Sequence, residues 1–174
     1  MRLTHTLKSD FTYITQAIPD LGMLANKQIL ISGANGFIAS YLIHFLLFLN
    51  DQHNAQIKIV AVLRDKNKLD KTIATALSVR LIEQDICQPI ATDIAVDIIL
   101  HTASYACPSL FQQDPVGTAL PNTIGTNLLL EYAHRNKVDQ FIFFSTTGVY
   151  GHNPADRYPL SETDFGALDC ADLS

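Results

Sequence analysis

A glycine-rich segment near the start of the chain has residue types and a spacing that could do chemistry. Residues 29–39 read ILISGANGFIA, which is an apolar run, a turn with glycines at positions 33 and 36, and the beginning of a helical pattern. At such a turn, unpaired backbone N–H groups lie beside the positive end of a helix dipole, which is about half an elementary charge. The segment therefore predicts a pyrophosphate-binding turn.

Each glycine of this turn has a separate physical role in the prediction. Gly33 permits the tight turn, and Gly36 lets the backbone approach a phosphate. Ala39 stands where a third glycine would give the closest packing of helix on strand, and its single methyl group is the smallest departure. Glycines at helix starts also serve packing alone, so that alternative stays open. The residues predicted to bind the cofactor here are Gly33, Asn35, Gly36, Phe37 and Ile38.

The elements that must position this turn alternate between strand-like and helix-like segments. Short apolar, β-branched runs predict strands, and longer amphipathic segments such as 36–50, 66–77 and 123–135 predict helices. The predicted strands are Gln28–Ser32, Lys58–Leu63, Val79–Glu83, Asp97–His101 and Gln140–Ser145. This alternation predicts an α/β fold with a doubly wound parallel sheet of the Rossmann type, in strand order 3-2-1-4-5.

One domain with an N-terminal extension is expected from a chain of this length and hydrophobic content. Residues 1–27 predict an N-terminal helical extension with Ser9 or Asp10 as its cap. Residues 28–174 predict the dinucleotide-binding domain, and its last part, from residue 151, reads as a loop with no further element.

Composition excludes several classes of function. The net charge of −5, without a cluster of Lys and Arg, argues against a nucleic-acid partner. The longest apolar stretch, 41–49, is far shorter than the roughly 20 residues that span a bilayer, and no signal peptide is evident. Three cysteines without ligand spacing suit reduced thiols and no metal site. We therefore expect a cytoplasmic protein.

Several short stretches in one fixed order carry a resemblance to a known family. They are GANGFIA at 33–39, QDI at 84–86, HTAS at 101–104, DP at 114–115, Asn122 with GTNLL at 125–129, and STTGVYG at 145–151. Together they resemble the extended short-chain dehydrogenases/reductases of the nucleotide-sugar epimerase/dehydratase family. The resemblance covers about residues 28–165. It implies an NAD(P) cofactor, a nucleotide-sugar substrate and a homo-oligomer.

The resemblance also implies roles for individual residues beyond the glycine turn. Asp85 and Ile86 would hold the adenine, although a turn after a strand also favours aspartate. The residues after the fourth strand would line the ribose and pyrophosphate, whereas His101 is read as a strand-end histidine without a catalytic role. Asn122 is predicted to open or cap the next helix, and in the family an asparagine here supports the active-site architecture. The cofactor-binding residues implied in this way are Asp85, Ile86, Thr102, Ala103, Ser104, Asn122 and Ser145.

The choice between NAD and NADP depends on the end of the second strand. An acidic residue there would bind both ribose hydroxyls of NAD, whereas a cation would pair with the 2′-phosphate of NADP. Arg64 occupies the discriminating position, and arginine binds phosphate well, so the sequence leans toward NADP. Asp65 would serve NAD if the register were shifted by one residue, and both side chains could instead be solvated loop charges.

The end of the fifth strand carries the predicted catalytic residue. Thr146 stands four residues before Tyr150, where the family places a hydroxyl that hydrogen-bonds the substrate. The family's dehydratases and most decarboxylases carry a glutamate where this chain has Gly148, which has no side chain to move a proton. The resemblance therefore favours an epimerase or a ketoreductase over a 4,6-dehydratase.

The family's catalytic Tyr-x-x-x-Lys pair is missing from the sequence. None of the six tyrosines has a lysine four residues later. We therefore expect the chain to stop before the base, the last strands and the substrate domain, which would leave the fifth strand at an exposed, self-associating edge. Two alternatives stay open: a complete NAD(P)-binding sensor or partner subunit without catalysis, and a structural relic that has lost its ligand.

Overall fold

One parallel sheet organises the chain. The computed structural model describes residues 3–90, 94–105, 108–153, 159–164 and 166. Their strands lie in the order β3-β2-β1-β4-β5, which confirms the predicted Rossmann-type topology. The strands are β1 Gln28–Ser32, β2 Lys58–Leu63, β3 Val79–Glu83, β4 Ile98–His101 and β5 Gln140–Phe143.

Helices follow or precede these strands along the chain. They are α1 His5–Ala17, α2 Phe37–His53, α3 Lys71–Ala74, α4 Pro108–Gln113, α5 Pro115–Leu120 and α6 Thr126–Asn136. Short 3₁₀ turns occupy Leu21–Leu24, Lys66–Lys68 and Thr147–Tyr150, and a π-helical turn at Pro121–Gly125 joins α5 to α6. None of the helices in the described part of the chain is long and apolar enough to cross a membrane.

Strands β1, β2 and β4 are mostly buried, and successive side chains of each strand point to opposite faces of the sheet. Ile29 and Ile31 of β1 belong to the core layer that includes α2, whereas Leu30 packs into the layer that includes Leu129 of α6. Near-continuous apolar strands are expected when helices cover both faces of a parallel sheet. The parallel arrangement places the carboxyl ends of β1, β2, β3 and β4 along one edge of the sheet.

The N-terminal helix begins earlier than its predicted cap. Thr4 is the N-cap, and its Oγ1 accepts a hydrogen bond from the Leu7 N–H at 3.3 Å, so the prediction of Ser9 or Asp10 was wrong. Leu7 packs against the core, and Phe11 is fully buried among the rings of α2. Starting the helix at His5 lets both side chains lie on the buried face.

Two predicted elements are shorter than the sequence suggested. The segment 66–77 is not one helix, because Leu69 takes an extended backbone and is buried, and the Asp70 carboxylate then caps α3 by accepting from Thr72 N–H. The strand predicted to reach Ser145 ends at Phe143, whose partner His101 is the last residue of β4. Tertiary partners, not local propensity, set both limits.

The chain divides into two compact units, Met1–Phe143 and Phe144–Ser174. The first contains the sheet and helices α1 to α6. In the second, Thr147–Tyr150 forms the 3₁₀ turn and Gly166 N–H donates to Tyr150 O at 2.9 Å. The predicted division at residue 27 stays a prediction, as does a single domain over 28–174.

Candidate functional site

A cleft of about 270 Å³ opens at the carboxyl ends of β1 to β4. It lies where the strand order reverses, since β1 is flanked by β2 on one side and β4 on the other. Ligands of open α/β sheets bind at such a reversal. The predicted cofactor residues that line the cleft are Gly33, Asn35, Gly36, Arg64, Asp85, Ile86, Thr102, Ala103 and Ser104.

Sequence reasoning did not single out several other residues of the cleft wall. Tyr105 directly follows the HTAS stretch, and Asp114 and Pro121 flank α5. These residues lie close in sequence to the stretches that carry the family resemblance, and this proximity could have indicated them. No pattern in the sequence showed which side chains turn toward the cleft. Phe37, Ile38 and Asn122, which were predicted, do not line it.

Gly33 has a conformation that requires glycine. Its φ is +70°, in the left-handed region, and a Cβ at this position would lie 2.8 Å from the Cα of Ala103. The turn after β1 therefore passes directly against the backbone that follows β4. Gly36 is less constrained, because its φ is negative and its added Cβ would meet only Gly33 O, at 3.0 Å.

The amino end of α2 lies beside this turn. Gly36 is the N-cap, no side chain caps the helix, and its first turn contains no acidic residue. Helix starts carry unpaired N–H donors and partial positive charge, which together attract an anion. Phe37 is 88% exposed and Ile38 is 49% exposed, so their predicted contribution rests on backbone N–H groups.

Arg64 and Asp65 at the end of β2 have different surroundings. The Arg64 guanidinium lies 4.9 Å from the centre of the Tyr105 ring, a cation–π arrangement across the cleft. Asp65 accepts from Asn67 N–H at 3.0 Å and lies 3.6 Å from the Lys68 ammonium. The aspartate is thus engaged in its own turn, and Arg64 is the residue that lines the cleft.

The residues after β3 form a tight turn at the cleft wall. The Asp85 Oδ1 atom accepts from the Cys87 N–H at 2.9 Å, which is the turn role that the sequence left open beside adenine binding. Ile86 is buried and contacts Gly125, whose added Cβ would meet its Cγ2 at 3.0 Å. Burial, followed by the hydrogen bond with Asp85, raises the pKa of the Cys87 thiol, so the thiol is protonated at neutral pH.

The segment after β4 is tied to β1 and to the π-helical turn. The Thr102 hydroxyl donates to Ser32 O at 2.6 Å, and the Asn122 Nδ2 atom donates to Ser104 Oγ and to Thr118 O, both at 3.0 Å. Asn122 neither opens nor caps α6, because α5 continues directly into the π-helical turn that contains it. The prediction of a helix start at this residue was therefore wrong.

The second unit contains the remaining predicted residues. Thr146 is the N-cap of the 3₁₀ turn, and its Oγ1 accepts from the Gly148 N–H at 3.1 Å. A Cβ on Gly148 would make an ordinary contact of 3.5 Å with the same oxygen, so space does not require glycine there. Ser145 is exposed. In the described part of the chain, no cluster of His, Cys, Asp and Glu could hold a metal ion.

Comparison with known proteins agrees with this fold. Residues 29–169 match the NAD dependent epimerase/dehydratase family. The chain belongs to this family. It is 32% identical over 152 residues to UDP-glucuronic acid decarboxylase 5 of Arabidopsis thaliana, which covers 85% of the chain and 43% of that relative. It is also 31% identical over 138 residues to the human dTDP-D-glucose 4,6-dehydratase, covering 72% and 37%.

A family member of known structure has the same fold. The UDP-glucuronic acid 4-epimerase from Bacillus cereus, solved in complex with NAD, superposes with a TM-score of 0.58 at 26% identity. The match covers 73% of the chain and 42% of the epimerase. The chain thus spans less than half the length of the relatives that it matches, and those family members include decarboxylases, a dehydratase and an epimerase.

Proposed function

We propose that this epimerase/dehydratase-family chain binds NAD or NADP in the cleft at the ends of β1 to β4. The observation that carries the proposal is the uncapped start of α2 beside the turn of Gly33 and Gly36. A negatively charged pyrophosphate fits this place because N–H donors and the helix dipole favour an anion there. The family's cofactor, and NAD in the related epimerase, support the same reading.

The cleft residues suggest how the parts of the dinucleotide would be held. The turn at 33–38 would bind the pyrophosphate through backbone N–H groups, and Asp85 and Ile86 would hold the adenine. Thr102, Ala103 and Ser104 would line the ribose, while Asn122 would support Ser104 through the hydrogen bond already described. Ser145 is proposed as a further cofactor contact, on the family resemblance alone.

We further propose a preference for NADP. Arg64 lines the cleft with its guanidinium, whereas Asp65 is engaged in its own turn and with Lys68. A guanidinium can pair with a 2′-phosphate through two hydrogen bonds, and an aspartate would be needed for the ribose hydroxyls of NAD. This arrangement favours the phosphorylated cofactor.

We propose that the parent reaction is an epimerisation or a ketone reduction of a nucleoside-diphosphate sugar. When bound, the nicotinamide accepts or supplies hydride. Thr146 would hydrogen-bond the substrate hydroxyl through the same Oγ1 that now accepts from Gly148 N–H. Gly148 has no group that could protonate a leaving hydroxyl, which argues against dehydration.

A second candidate is NAD(P) binding without catalysis, as a sensor or partner subunit. It is favoured by the absence of a Tyr-x-x-x-Lys pair from the 174 residues. Calorimetry with NADP should show binding, while incubation with NADP and UDP-glucose should give no rise in the absorbance of reduced nicotinamide at 340 nm. Appearance of reduced cofactor would reject this candidate.

The decisive experiment is titration calorimetry of the chain with NAD and with NADP. We expect both to bind, and Gly36→Ala to weaken binding about tenfold, which corresponds to about 1.4 kcal/mol, because its methyl group crowds the turn. Gly22→Ala is the matched control, since its Cβ would meet only Asp20 Oδ1 at 3.5 Å. Absence of binding by the unaltered chain would refute the proposal and favour a relic in which the glycines serve packing.

We also propose self-association through β5. Its only strand partner in the described residues is β4, and Ile142 and Phe143 are 45% and 40% exposed. An unpaired strand edge with apolar side chains is prone to pair with another copy. Sedimentation velocity at increasing concentration should show dimers, and a single monomeric species throughout would contradict this.

A further inference from the structure

Two polar side chains lie within the otherwise apolar core of the described residues. Ser32 at the end of β1 is 0% exposed and His101 at the end of β4 is 1% exposed. The two residues are paired in register across the sheet. A buried polar group is costly unless it is hydrogen-bonded, so the partners of this pair determine its state.

The hydrogen bonds of Ser32 determine which nitrogen of the imidazole carries the proton. The Ser32 Oγ atom accepts from Thr102 N–H at 3.1 Å and from Ala103 N–H at 3.2 Å. Its two acceptor positions are then occupied, so its own proton is donated to His101 Nδ1, at 2.7 Å. Nδ1 is therefore the unprotonated nitrogen of the ring.

The other ring nitrogen faces acceptors on the π-helical turn and α6. His101 Nε2 lies 3.2 Å from Pro121 O and 3.0 Å from Thr126 Oγ1. The Thr126 hydroxyl donates to Asn122 O at 2.9 Å, so its oxygen is an acceptor toward the ring. Every bond is satisfied by one neutral imidazole with its proton on Nε2.

This ring joins two parts of the cleft wall. Through Ser32 it holds the backbone of Thr102 and Ala103, and through Nε2 it holds the turn that begins at Pro121. Thr102, Ala103 and Pro121 all line the cleft. π-helical turns inside α-helices frequently accompany functional sites, and here the turn brings a carbonyl to the histidine.

We propose that His101, as its neutral Nε2–H tautomer, is a positioning residue that sets the separation of the two cleft walls for dinucleotide binding. The proposal rests on the proposed function of the cleft. It gives a positioning role to a residue whose sequence context predicts only a strand-end histidine.

Protonation would break this arrangement. A proton on Nδ1 would point at Ser32 Oγ, whose acceptor positions already receive two backbone N–H groups. The rings of Phe141 and Phe143 pack against the imidazole from β5, and the groups facing it from β1, the π-helical turn and α6 are the uncharged ones named above. Because no charged group among these contacts would compensate, dinucleotide affinity should fall in acid.

Two variants test separately the hydrogen bond of His101 to Ser32 and its hydrogen bond to Pro121. The amide of His101→Asn reaches about as far as Nδ1 and retains the bond to Ser32, whereas the amide of His101→Gln reaches about as far as Nε2 and retains the bond to Pro121. We expect each to weaken NAD binding about tenfold or more. Amide exchange should accelerate at residues 102 and 103 in the Gln variant and at residues 122–126, which directly follow Pro121, in the Asn variant. His134→Gln, at an exposed position of α6, is the control.

The pH profile distinguishes positioning from a purely structural role. NAD is the probe, because the 2′-phosphate of NADP titrates with a pKa of about 6. Affinity of the unaltered chain for NAD should weaken as the pH falls below 6.5, and the affinity of the Gln variant should be weaker but should depend less on pH. The proposal would be overturned if both variants fold and bind NAD with the affinity and the pH profile of the unaltered chain. If the unaltered chain binds no dinucleotide, the proposed function fails separately, and unchanged amide exchange in both variants would then overturn the inference.

Discussion

Replacing Gly33 by alanine tests whether the backbone conformation and close packing of the turn after β1 require glycine. The residue has a φ of +70°, and an added Cβ would lie 2.8 Å from Ala103 Cα, 3.1 Å from Ala103 N and 3.2 Å from Ala103 Cβ. Two of these atoms belong to the backbone that follows β4. The methyl group cannot be accommodated by rotating a flexible side chain, so β1 and β4 or the turn itself must move.

The expected cost follows from two separate effects. A non-glycine residue in the left-handed region costs about 1–2 kcal/mol. Forcing a methyl group into a packed site costs about 1–3 kcal/mol more. We therefore expect Gly33→Ala to lower the free energy of unfolding by about 2–5 kcal/mol, a large part of the roughly 5–15 kcal/mol typical of a domain.

Urea unfolding followed by far-UV circular dichroism measures this loss. With a slope of about 2 kcal/mol/M, the midpoint should fall by roughly 1–2.5 M. Gly36→Ala should shift it less, because its Cβ would meet one oxygen at 3.0 Å without a positive φ. Gly22→Ala, with a 3.5 Å contact to Asp20 Oδ1, should leave the midpoint almost unchanged.

The order of the three variants is the critical result. Equal midpoints for Gly33→Ala and Gly22→Ala would refute the argument, because they would mean that the turn can relax without cost. Equal losses for all three would also refute it, since the effect would then reflect removal of glycine in general.

Three further predictions concern the first unit. Phe11→Ala should cost about 3–5 kcal/mol in unfolding free energy by calorimetry, because this fully buried ring packs against α2, and a loss below 1 kcal/mol would show that α1 is not part of the core. Arg64→Ala should raise the dissociation constant for NADP at least tenfold and leave NAD nearly unaffected, and equal changes would reject the 2′-phosphate role. Burial lowers the pKa of His101 below 6.5, so in acid the unfolded chain binds more protons than the folded chain. The contribution of the neutral imidazole to the free energy of unfolding is therefore present above pH 6.5 and is lost as the pH falls below that value. His101→Gln should make the urea midpoint of unfolding depend less on pH between pH 7 and 5. An unchanged pH dependence would exclude His101 as its source.

Local patterns in the sequence predicted much of the architecture. β1, β2 and β3 were predicted with the bounds that the structure has, because apolar β-branched runs bounded by turns specify buried strands locally. The strand order followed from the alternation of strands and helices, since parallel strands require crossover connections. The glycine turn was evident for the same reason, because a residue such as Gly33 marks its unusual conformation by its type.

The sequence alone determined the sheet, its order and the location of the candidate dinucleotide turn, since these depend on periodicity and on residue types that act within a few positions. Only the tertiary structure decided how the parts of the cleft hold one another. The tautomer of His101 depends on Ser32, which is 69 positions away in the chain, and on a π-helical turn that no local pattern predicted. Likewise, the stacking of Arg64 on Tyr105 depends on the placement of β2 and β4 on either side of β1. Such contacts join residues that are distant along the chain, and a local pattern carries no information about which distant partner will satisfy a buried polar group.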